Sequence, residues 1–128
     1  MTAYLRIVLG GEHHALAVDA VREVVLVEDI VPVPGAGPHV LGVQTLRGEL
    51  IPVVALDGLV GARAGDATRL VVVQDGERRA AFVVDRAEDV EELEAVDDGQ
   101  SRGVLHEGRL VGVLDVPSLL DAVAAAIG

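Results

Sequence analysis

Short apolar runs bounded by Gly, Pro and Asp turn signals recur along the chain, the pattern of strands. Tyr4 to Leu9 reads as a first strand, Gly10-Gly11 as a turn, and Glu12 to Val18 as the returning strand. Asp19 stands where it would cap a short helical turn through Glu23, and Val24 to Val27 is extended again. Between Ile30 and Pro38, three of nine residues are proline and lack an amide proton. That excludes a central strand and predicts an edge segment running into a loop. Val40 to Leu46 and Glu49 to Leu56 predict a hairpin around Arg47-Gly48. A brief helical turn over Asp57 to Val60 and a linker over Gly61 to Asp66 follow.

The same sequence of signals then returns. Arg69 to Gln74 and Arg78 to Val84 flank a turn at Asp75-Gly76, and Gly103 to Leu105 and Arg109 to Leu114 flank Glu107-Gly108. Asp115 and Pro117 suit a helix N-cap and first turn. Val116, Leu119, Leu120, Val123 and Ile127 then mark one buried stripe of a closing helix. The return extends to residue identities. Arg6 to Val24 aligns without a gap on Val72 to Val90, with Gly10 on Gly76, Ala15 on Ala81 and Val18-Asp19 on Val84-Asp85. Gly48 to Leu56 aligns on Gly108 to Val116. Chance matching in a chain rich in Val, Ala and Gly explains single identities, but it explains two blocks in the same order poorly. The chain reads as one domain, 1–128, holding a strand-rich unit twice, at about 1–62 and 68–128. Two such units create a groove between them.

Composition narrows the function classes. Half of the residues are apolar, yet there is one Phe, one Tyr and no Trp, so the core is Val, Leu, Ala and Ile. Such side chains fill narrow barrels. Cysteine is absent, which excludes disulfides, thiolate metal sites and a thiol nucleophile. The net charge of −11 disfavours nucleic acid and anionic lipid. No apolar run approaches the roughly 20 residues of a membrane span, and no signal peptide is evident, so the default compartment is the cytoplasm. From Asp85 the run to Asp98 holds seven further acids against Arg86 alone. It reads as a solvated, partly extended loop, or else as a docking surface for a basic partner.

Catalytic chemistry finds little to build on. Thr2, Thr45, Thr68, Ser101 and Ser118 sit in no nucleophile elbow. His13 and His14 are adjacent and would point to opposite faces of a strand, so they cannot jointly ligate a metal. With His39 and His106 they are expected at the surface or in loops. A chain without lysine cannot form a lysine-bearing phosphate loop. The expectation is a non-enzyme with no metal, cofactor or small-molecule substrate. One constellation stands out: Arg47 at a hairpin tip between apolar strands, with Gly48 free to take positive φ. It is either an ordinary solvated arginine or one presented for bidentate contact with a partner.

This segment resembles the CheW family, the adaptors of bacterial chemosensory arrays. Gly42-Val43, Leu46-Arg47-Gly48, Pro52-Val53 and Leu56 match the family's hairpin motif. Ala17 to Val24, Val31 to Gly35, Thr68 to Val73, Phe82 to Arg86 and Gly108 to Asp115 extend the resemblance over nearly the whole chain. It implies an all-β fold of two small SH3-like five-stranded β-barrels in tandem with a C-terminal helix. It implies a non-catalytic adaptor that couples methyl-accepting chemoreceptors, through their signalling tips, to the regulatory domain of a CheA-type histidine kinase. The positions it assigns to partner binding are Val21, Gly42, Val43, Arg47 and Arg69. Asp19, Glu23 and Gly48 would hold the turns.

The chain departs from the family pattern in two places. Ala55 replaces the acid usual before Leu56, and the Val90 to Gly103 connection is short and acidic. The second implies a trimmed second barrel with weaker kinase contacts. The alternative reading is therefore a divergent CheW-like scaffold for motility or cell polarity that binds receptors or other scaffold proteins without the kinase.

Overall fold

Strand pairing exchanges segments between the two halves of the chain. The strands are β1 (Thr2–Leu9), β2 (Glu12–Ala17), β3 (Val21–Leu26), β4 (Val40–Leu46), β5 (Glu49–Ala55), β6 (Arg69–Asp75), β7 (Arg78–Val84), β8 (Arg86–Asp97), β9 (Arg102–His106) and β10 (Arg109–Val113). Helix α1 (Leu56–Val60) follows β5, and α2 (Val116–Ile127) follows β10. In the computed structural model, which describes residues 2–37, 39–60, 68–97 and 102–127, these strands form two five-stranded sheets. The first is a closed barrel, ordered β1-β2-β10-β9-β8; the second is ordered β3-β6-β7-β5-β4. The all-β architecture of two five-stranded units with a C-terminal helix is the one expected, although only the first sheet closes into a barrel. Each sheet, however, takes a two-stranded hairpin from one half and three strands from the other. The pairings are matched: β1 lies antiparallel to β8 as β6 does to β3, and β2 parallel to β10 as β7 does to β5.

Three apolar cores follow from the alternation of side chains along these strands. Tyr4, Ala15, Leu93, Val104 and Val111 fill the closed barrel. Ile51, Val53, Leu70, Val72, Ala81 and Val83 fill the second sheet. The opposite faces, with Leu5, Ile7, Leu9 and Leu16 from one sheet and Val71, Val73 and Phe82 from the other, meet between the sheets. Helix α2 covers that seam with Val116, Leu120 and Val123, the stripe its spacing predicts. Leu119 packs at its margin. Phe82 is fully buried there, a burial worth about 1.5–3 kcal/mol. Arg78 ties the β6–β7 turn to α2 through Asp121 and to Asp75 at 3.0 Å.

Three expectations are corrected. The acidic run from Asp85 is not a loop, for most of it is β8, a 12-residue strand. Its first part pairs with β1 and its last part with β9, so one ladder or the other holds almost its whole length. Ladder pairing and the inward Leu93 outweigh the poor strand propensity of Glu and Asp. The strand also closes its barrel, so the second unit is not trimmed. Asp19 caps no turn reaching Glu23. It lies within a single 3-10 turn, Val18–Ala20, and Glu23 belongs to β3. The expected linker, Gly61 to Asp66, lies outside the described residues.

Candidate functional site

The Arg47-Gly48 turn has positive φ at both residues, 50° and 82°. Two consecutive left-handed residues make the tight two-residue turn whose twist suits a β-hairpin. Glu107-Gly108, its counterpart in the repeat, does the same at 51° and 76°. The Arg47 side chain is 82% exposed, and its Nε lies 3.3 Å from Glu23 Oε2. Neither Glu49 nor Asp57 holds it. Glu49 pairs instead with Arg79, whose Nε donates to Gln74 at 3.1 Å. Arg22, Glu23, Arg47, Glu49 and Arg79 thus ring a small cavity of about 160 Å3, floored by Leu46, Ile51 and Val72.

The other expected site residues are spread along the second sheet. Val21 is half-buried against the seam and pairs with Val73. Arg69 is exposed at the opposite end of β6, beside Leu26. Val43 is half-buried and bridges to Val31, whose amide donates to the Val43 carbonyl at 2.8 Å. Gly42 is buried at φ 147°, and a Cβ there would come within 2.7 Å of the Val31 carbonyl carbon. The Val31-Pro32 edge segment therefore requires glycine at that position. Arg47 and Glu23 are brought together. Arg69 lies away from them, and Gly42 sits beneath the edge segment.

Residues with no sequence signal of their own complete the arrangement. Strands β3 and β4 are not paired as a ladder. Gln44, 2% exposed, bridges them: its Oε1 accepts the Glu28 amide at 3.0 Å and its Nε2 lies 3.5 Å from the Leu26 carbonyl. A lone polar residue on the buried face of an apolar strand was the available clue. Asp85 accepts the Gly10 amide at 2.9 Å and so holds the β1–β2 turn, a role expected of its counterpart Asp19.

The histidines are in part as expected: His13 is exposed, while His14 and His106 are half-buried. His13 and His14 lie in β2 and His106 in β9, and only His39 is in a turn. His14 is half-buried, and burial pushes its pKa below the usual 6.5. His106 Nε2 lies 3.2 Å from Glu91 inside the closed barrel. That barrel's interior also holds Arg6, a buried guanidinium between Glu88 and Glu91. Among the described residues no three His, Asp or Glu side chains are arranged to hold a metal.

The CheW-like domain model matches residues 3–124. A chemotaxis protein CheW of Bacillus subtilis is 27% identical over 129 aligned residues, covering 88% of this chain and 83% of that protein. One of Thermotoga maritima is 30% identical, covering 89% and 84%. The crystal structure of a scaffolding CheW protein from Thermoanaerobacter tengcongensis superposes with a TM-score of 0.75 over 89% of this chain and 88% of that one. At 21% identity, that last likeness speaks for the fold.

Proposed function

Because the chain belongs to the CheW-like family, we propose that it is a non-catalytic adaptor of a chemosensory signalling complex, tying methyl-accepting receptors to a CheA-type histidine kinase. The observation that carries this is the family match from residue 3 to 124, which spans both sheets. Such a role needs no nucleophile, metal or cofactor. It places the protein in the cytoplasm, beside receptor arrays. Among the described residues no helix is long and apolar enough to cross a membrane.

In this reading the whole chain acts as one domain. Val21, Val43, Arg47 and Arg69 serve the receptor's helical tip, a helix laid along an apolar surface with a charged anchor at its end. Gly42 contributes by letting the Val31-Pro32 segment lie flat. The closed barrel offers an ordered surface for kinase docking in this reading. The test is amide chemical-shift mapping of the intact protein with a receptor-tip peptide and, separately, a CheA regulatory domain. Receptor-induced shifts are expected at Val21, Val43 and Arg47. Shifts confined to the acidic strand β8 would reject the placement, and silence with both partners would reject the adaptor role.

A further inference from the structure

The repeat gives each sheet a mouth at its hairpin end, and the two differ in chemistry. The second sheet is apolar below its rim, with Val72, Val25 and Leu46 packed at its core. The alignment sets Arg6 on Val72, Glu91 on Val25 and His106 on Leu46. The closed barrel is therefore polar where its counterpart is greasy. It opens into a cavity of about 800 Å3, within the range of small-molecule sites.

Arg6 lies at the floor. Its side chain is 8% exposed. Nη1 lies 3.5 Å from Glu88 Oε2, and Nε lies 3.5 Å from Glu91 Oε2 with no hydrogen-bond partner. Charge-assisted hydrogen bonds run at about 2.7–2.9 Å. The guanidinium is thus neutralised at a distance yet short of close acceptors; its Nε is closed off from solvent, so a guest bearing an acceptor meets Arg6 only where it lines the cavity. Arg86, and more weakly Arg6, hold the Glu88 carboxyl below its usual pKa, so it is charged at neutral pH. His13 and Arg109 add donors on the wall. Glu12 and Glu107 stand exposed at the rim as acceptors.

We propose that this mouth binds a small zwitterion, an α-amino acid or close analogue. Its carboxylate lies over Arg6 and its ammonium against the rim carboxylates. A simple anion would meet the lining carboxylates Glu12, Glu88 and Glu107 in a chain of net charge −11. A simple cation would face Arg6 and leave it unsatisfied. A molecule with both charges a few bonds apart meets both demands.

The test uses the intact protein. Calorimetry and amide chemical-shift mapping are run with individual amino acids, and with acetate, phosphate and methylamine as single-charge probes. At least one amino acid is expected to bind with Kd of roughly 10 μM to 1 mM, as suits about ten heavy atoms. Shifts should centre on Arg6, His13 and His106. The single-charge probes should bind at least tenfold more weakly. Arg109→Ala, at the exposed rim, should leave the melt unchanged and weaken binding at least fivefold. The proposal is overturned if no amino acid moves the mouth resonances, if acetate or methylamine binds as tightly, or if Arg109→Ala changes nothing. Receptor binding near Arg47 is read separately, so failure here leaves the adaptor role standing.

Discussion

Arg47 holds a left-handed backbone that costs an arginine roughly 1–2 kcal/mol. The turn demands that conformation whatever the residue, because Glu107 adopts it in the matching hairpin. What the side chain adds is one exposed ion pair to Glu23, worth about 0–1 kcal/mol. Substitution by Ala keeps the backbone strain and loses only that pair. Arg47→Ala should therefore shift Tm by about 4 °C or less. A charge-assisted contact with a partner is worth roughly 1.5–3 kcal/mol, so receptor binding should weaken about tenfold or more. Melts and binding isotherms on one sample decide it. A clear loss of stability with binding intact would make Arg47 a structural residue. The place of Arg47 at an exposed hairpin tip was legible because Arg-Gly between two apolar strands reads as a tight turn. Arg6 was not legible. It sits in a strand beside Leu5 and Ile7, and only the barrel's closure supplies Glu88 and Glu91 to receive it.

At the scale of elements, the two sheets differ at one seam. The closed barrel joins β8 to β9 by a regular antiparallel ladder. The matching seam between β3 and β4 has the Val31–Val43 bridge, the Gln44 side chain and the Glu23–Arg47 pair. Side chains there do the work of a ladder. Gln44→Leu would leave the Glu28 amide and Leu26 carbonyl without their partner, at about 1–3 kcal/mol. The expected result is a loss of stability of that size, with amide exchange at Glu28 faster than any global change explains. Unchanged exchange at Glu28 would show that the seam does not depend on Gln44. The hairpins and α2 were legible because turn chemistry and periodicity are local. Strand β8 was not, since its pairing with residues far away in sequence decides its conformation against its own propensity.

At the scale of the molecule, the exchange of hairpins raises the question of what prevents each half from folding alone. Residues 1–62 contain β1 to β5, and the β1–β2 hairpin resembles β6–β7 closely enough to compete for its place between β3 and β5. In that place Arg6 would occupy the position of Val72, beside Ile51 and Val53. Its partners Glu88 and Glu91 lie in the other half. The carboxylates near that position, Glu23 and Glu49, stand at the rim of the small cavity that Val72 floors, and a guanidinium that loses Glu88 and Glu91 to be buried there is expected to cost several kcal/mol, more than a half-sized domain has to spare. Arg6 thus selects the exchanged pairing over the local one. The fragment 1–62 should accordingly show narrow amide dispersion by itself and gain native dispersion when mixed with 63–128. Placing Arg6→Val in the isolated fragment should widen its dispersion without the other half, since valine suits the Val72 position. A wild-type fragment 1–62 that folds as a monomer, or an Arg6→Val fragment no better ordered than the parent, would show that something other than this charge decides how the halves pair.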